Sequence, residues 1–91
     1  MQTYELIVSG RVQGVGYRNY VQKLAKKFNV NGTVKNLYSG DVRIIAQTKE
    51  TVIDQFINNI QKPQHSLMKI ENVKKTKLDT SEVYNNFNVE Y

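Results

Sequence analysis

Gly10-Arg11-Val12-Gln13-Gly14-Val15-Gly16-Tyr17-Arg18 is the stretch whose residue types and spacing can do chemistry. Glycine admits backbone angles that turn consecutive N–H groups towards one point. A helix starting just after such a loop adds unpaired N–H donors and about half a positive charge. Together they form an anion site from main chain alone. Arg18 falls in the first turn of that helix, where its planar guanidinium can bond two phosphate oxygens at once. A phosphate dianion is the expected occupant. The glycines alone fit a tight crossover equally well, and an exposed arginine can serve solubility only; an arginine at the helix start tips the balance towards anion binding. No Gly-Lys-Ser/Thr follows, as a Walker A loop requires, and Asn19 takes the last position of a G-x-G-x-x-G pattern.

Asn36 is the second candidate. Period two puts it on the face of Val34, the face helices are expected to cover, and a buried carboxamide is costly unless bonded. By pattern alone, a turn residue bonding local backbone accounts for it. The other polar groups read as structure: Tyr17 and Tyr20 as core or pocket wall, Asp41 and Glu50 as turn and helix-start residues, and His65, the only histidine, as a solvated loop residue. The eight carboxylates show no metal-ligand spacing, and without cysteine there is no thiol catalysis, disulfide or zinc–thiolate site. Neither metal nor cofactor is expected.

The elements that must position these groups follow from hydrophobic periodicity. Residues 3–9 alternate as a strand, with Tyr4, Leu6 and Val8 on one face. After the loop of residues 10–16, Tyr17, Tyr20, Val21, Leu24, Ala25 and Phe28 recur at helical spacing, and Asn29 to Asn31 mark the stop. Residues 30–37 and 42–48 flank the turn Tyr38-Ser39-Gly40-Asp41 and predict an antiparallel hairpin. A second helix over about 50–62 carries Val52, Ile53, Phe56, Ile57 and Ile60, with Pro63 just beyond. Residues 69–78 read as a lysine-rich edge strand. Phe87 and Val89 lie on a short last strand. The order β-α-β-β-α-β predicts an α+β ferredoxin-like sandwich: an antiparallel sheet, two helices on one face, and a short extra C-terminal strand.

Ninety-one residues suit one domain, here 1–91. A net charge of +5 suits an anionic partner without choosing among nucleic acid, membrane and small phosphorylated molecule. No apolar run exceeds Leu6-Ile7-Val8 or Ile44-Ile45-Ala46, so neither a signal peptide nor a spanning helix is expected. A cytoplasmic monomer is the simplest expectation.

Residues 10–18 resemble the first signature of the acylphosphatase family, G-x-V-Q-G-V-x-aromatic-R. Gly32-Thr33-Val34-Lys35-Asn36, followed by Gly40-Asp41-Val42, resembles its second, G-aromatic-V-basic-N-x-x-x-G-x-V. Length and element order match from end to end. Thr33 stands where the family usually has an aromatic residue and Thr48 where it usually has glycine. Lys62-Pro63-Gln64 replaces a Gly-Pro stretch. These departures concern packing and turns. The resemblance implies a metal-free hydrolase that splits the carboxyl–phosphate bond of small acyl phosphates. It implies that Arg18 and the loop amides of Gln13, Gly14, Val15, Gly16, Tyr17 and Arg18 bind the phosphoryl oxygens, and that Asn36 positions the attacking water.

The competing class is a non-catalytic ferredoxin-like module binding RNA or another anion. The sheet lacks the RNP1 pattern with its stacking aromatics, so nucleic acid is the disfavoured partner.

Overall fold

Alternating Tyr4, Leu6 and Val8 put one face of the first strand into the core, and the same period governs Val42, Ile44 and Ala46; all six are buried. A computed structural model describes residues 1–91. In chain order the elements are β1 (Gln2–Arg11), α1 (Tyr17–Lys27), β2 (Asn31–Asn36), β3 (Val42–Thr48), α2 (Glu50–Ile60), β4 (Lys69–Leu78) and β5 (Phe87–Glu90). The sheet order is β4-β1-β3-β2-β5. Both helices lie on the face carrying Leu6, Val34 and Ile44, and one cluster of 17 buried residues joins them to the sheet. The lysine-rich β4 is an edge strand pairing only with β1, as its composition predicts. No helix is long and apolar enough to cross a membrane.

The sheet is mixed, which corrects the expectation of a wholly antiparallel one. β5 pairs parallel with β2, Phe87 beside Gly32 and Glu90 beside Lys35. The path of the chain forces this direction. β4 ends at Leu78, opposite Thr3, at the end of the sheet where β1 and β2 begin. Residues 79–86 then cross that end as a polar strap. Gln47 Nε2 donates to the Glu82 carbonyl at 2.8 Å, and the Tyr84 amide donates to Gln47 Oε1 at 2.9 Å. Asn31 Nδ2 donates to the Tyr84 carbonyl at 3.0 Å. The strap therefore delivers β5 beside the start of β2, and β5 can only run the same way. It also explains why Ile45 and Gln47 are buried on the helix-free face.

Further along that face, Arg43 Nε donates to Glu5 Oε2 at 2.8 Å where a stacking platform would need aromatic rings. The RNA-binding alternative has no support there.

Gly10 belongs to the sheet and not to the loop, a second correction. The β1–β4 register shifts between Ser9 and Gly10, a bulge, and Gly10 takes a φ of 132°. A β-carbon there would run into the Lys69 carbonyl oxygen. Gly10→Ala is expected to destabilise the protein by about 2–4 kcal/mol through combined strain and clash. Thermal unfolding should show a Tm lowered by roughly 10–20 °C; an unchanged Tm would mean that the bulge relaxes freely.

Candidate active site

Three parallel strands carry the site to one end of the sheet. β1 runs up into the glycine loop, β2 ends at Asn36, and β5 ends just before Tyr91. Val42 pairs with Val8 on one side and Asn36 on the other, so the end of β1 and Asn36 stand level, about 10 Å apart across two strand spacings. The loop bridges that gap. Gln13 fastens it: its Nε2 donates at 2.8 Å to both the Leu37 and the Asp41 carbonyls, the base of the β2–β3 turn. Those carbonyls also accept the Gly40 and Leu37 amides, so removing the side chain orphans neither. Gln13→Ala should therefore cost only about 1 kcal/mol in urea unfolding, while loosening loop and turn should raise KM more than the small stability change accounts for. Unaltered kinetics would show that the clamp does not position the site.

Gly14 and Gly16 adopt φ values of 73° and 82°. Gly16 is the residue before α1, and no side chain caps the helix start. The amides of residues 13–19 donate to no acceptor within the protein. No acidic residue occupies the first turn of α1, so nothing offsets the positive end of its dipole. These groups open onto a cleft of about 110 Å³ lined by Val12, Gly14, Gly16, Tyr17, Arg18, Asn19, Asn36, Val89 and Tyr91. That is room for several waters, and so for one tetrahedral oxyanion.

Arg18, from α1, and Asn36, from the end of β2, thus line one cleft. Arg18 is held from behind. One terminal guanidinium nitrogen donates to the Glu90 carbonyl at 2.9 Å, and its central carbon lies 4.7 Å from the centre of the Tyr91 ring. Neither contact uses a carboxylate, and Arg18 takes part in no ion pair. Asn36 is the opposite case. Its Oδ1 is buried and has no partner. A buried acceptor left unmade costs about 1–3 kcal/mol. Such a group demands a donor from solvent or ligand, and the local turn bond expected from pattern alone is not made.

Of the six loop residues, Gly14, Gly16, Tyr17 and Arg18 line the cleft, whereas Gln13 and Val15 stand behind it. Val15 packs against the core, and its carbonyl lies 2.9 Å from His65 Nε2. His65 Nδ1 accepts the Leu67 amide at 3.2 Å, so Nε2 carries the proton and donates to Val15. His65 is exposed, as expected, yet it latches the α2–β4 connection onto the loop. Tyr17 donates to the Ile60 carbonyl at 2.9 Å and Tyr20 to that of Asn59 at 2.8 Å, tying α1 to the end of α2. Burial pushes both phenols up from their ordinary pKa, which keeps them neutral donors. No three His, Asp or Glu side chains gather as metal ligands. Val12, Asn19, Val89 and Tyr91 also line the cleft, outside the residues assigned to it from sequence. Tyr91 carried no local signal, since 73 positions separate it from Arg18.

A family model described as acylphosphatase matches residues 4–89. The chain is 38% identical over 95 residues to an acylphosphatase of Ligilactobacillus salivarius and 37% identical over 91 residues to one of Clostridium acetobutylicum, covering 99% or more of each chain. The crystal structure of acylphosphatase from Bacillus subtilis superimposes with a TM-score of 0.90 at 34% identity, with both chains fully covered.

Proposed function

The chain belongs to the acylphosphatase family, and from that premise we propose how its own residues hydrolyse the carboxyl–phosphate bond of small acyl phosphates. The phosphoryl oxygens accept hydrogen bonds from the amides around Gly14 to Arg18 and from the Arg18 guanidinium. A water donates one hydrogen to Asn36 Oδ1 and turns a lone pair on phosphorus. The new P–O bond forms as the bond to the carboxyl oxygen breaks, releasing a carboxylate and inorganic phosphate. The proton lost by water passes to a phosphate oxygen. Phosphoryl transfer is chiefly positioning and charge stabilisation, and a carboxylate leaves without a strong general acid.

One observation supports this most: a buried carboxamide oxygen without a partner shares a small cleft with unpaired amides and a cation. Incubation with acetyl phosphate should release inorganic phosphate catalytically, with and without EDTA. Release at the uncatalysed rate would overturn the proposal, and loss restored only by a metal would overturn its metal-free form. We place this activity in one domain, residues 1–91, acting as a cytoplasmic monomer. The cysteine-free sequence fits a reducing compartment.

A further inference from the structure

A second groove, of about 440 Å³, leaves the cleft past Gly16 and Asn19, which belong to both. It runs along α1 past Tyr20, Lys23 and Lys27, with Gln64 also on its wall. Asn19, Lys23 and Lys27 are spaced four apart and so lie on one helix face, a turn apart. No carboxylate lines the groove, and neither lysine takes part in any of the three ion pairs of the protein. Lys27 Nζ sits 5.8 Å over the Phe28 ring, whereas Lys23, one turn nearer the cleft, has no partner of any kind.

The direction of attack decides what this groove receives. In phosphoryl transfer the entering and leaving oxygens stand roughly in line across phosphorus. If Asn36 holds the water, the carboxyl leaving group points away from β2, towards Gly16 and Asn19. The acyl chain then continues into the α1 groove. Lys23 stands four residues beyond Asn19, about 6 Å further along the helix axis, within the span of a chain of a few carbons.

We propose that Lys23 is a specificity-determining residue of the leaving-group side, and that the protein favours acyl phosphates whose acyl chain ends in a second anionic group, a carboxylate or a phosphate. The inference rests on the hydrolase reading and on the place of Asn36 in it. On the opposite side of the cleft a groove of about 490 Å³ passes Leu37 and Tyr38 and also carries a lysine, Lys35. That lysine lies on the side from which water would enter, so it serves as the comparison.

The test compares kcat/KM for glutaryl phosphate with that for pentanoyl phosphate, two five-carbon substrates that differ only in a terminal carboxylate. The parent protein should prefer glutaryl phosphate. Lys23→Glu should lower the ratio about 3- to 10-fold, as expected for reversing one exposed charge near its partner. Lys23→Gln should lower it less, and Lys35→Gln should not lower it. Raising the ionic strength to about 1 M, where the Debye length is about 3 Å, should erase most of the parent preference. Turnover of both substrates with a ratio untouched by Lys23→Glu, or one governed by Lys35 instead, overturns the assignment. Turnover of neither by the parent protein overturns the hydrolase reading and this inference with it. Lys23 is exposed and its replacement touches no core contact, so the variants should fold, and circular dichroism checks that they do.

Discussion

Arg18→Gln is expected to lower kcat for acetyl phosphate by about 10²–10³, the usual loss when one preorganised donor to a developing oxyanion is removed. Charge makes the effect large. Arg18 is the only cationic side chain on the cleft wall, and no Asp or Glu lines it. Glutamine can restore a hydrogen bond but not the charge. Stability should fall far less. The side chain contributes one bond to a carbonyl and one stacking contact with Tyr91 at the surface, together about 1–2 kcal/mol. Phosphate release measured beside urea unfolding separates the two effects. A folded Arg18→Gln protein with full turnover would remove Arg18 from the proposed role. Arg18→Lys should recover only part of the loss, since an ammonium cannot form two parallel bonds to the phosphoryl group.

Asn36→Ala carries the second large effect, a fall in kcat of about 10²-fold on the scale of a lost positioning contact. Here stability and activity should move apart. Asn36 Oδ1 makes no hydrogen bond within the protein, so deleting the carboxamide breaks no protein–protein bond and leaves only a small void beside the cleft, a cost of about 1 kcal/mol or less. The variant should be about as stable as the parent, and inorganic phosphate should still inhibit it, because the amides and Arg18 remain. Collapse of phosphate inhibition with turnover retained would exchange the two roles. A marked loss of stability would make Asn36 a structural residue.

Much of the site was legible because it is local. The glycines and Arg18 are contiguous, and a loop feeding a helix start has the same electrostatics wherever it occurs. Alternation also placed Asn36 on the helix-covered face. It could not show that the carboxamide oxygen lacks a partner, which depends on every group packed around it. The clamp from Gln13 to Leu37 and Asp41 was equally hidden, since it joins segments 24 and 28 residues apart. His65 read as a solvated residue because nothing nearby in sequence announces Val15, 50 positions away. Gly10 read as part of the loop because a bulge and a loop make the same demand for an unusual φ.

By itself the amino-acid sequence determined the kinds of element, their order, and the pairing of a glycine loop with an arginine. Apolar period and turn chemistry act over a few residues and need no knowledge of the rest of the chain. Only the tertiary structure decided that β5 runs parallel to β2, and so that the C-terminal Tyr91 backs Arg18 at the same end of the sheet as Asn36. A strand's direction is set by where its connection delivers it. The strap of residues 79–86 takes its path from hydrogen bonds to Gln47 and Asn31, side chains that no local pattern links to it.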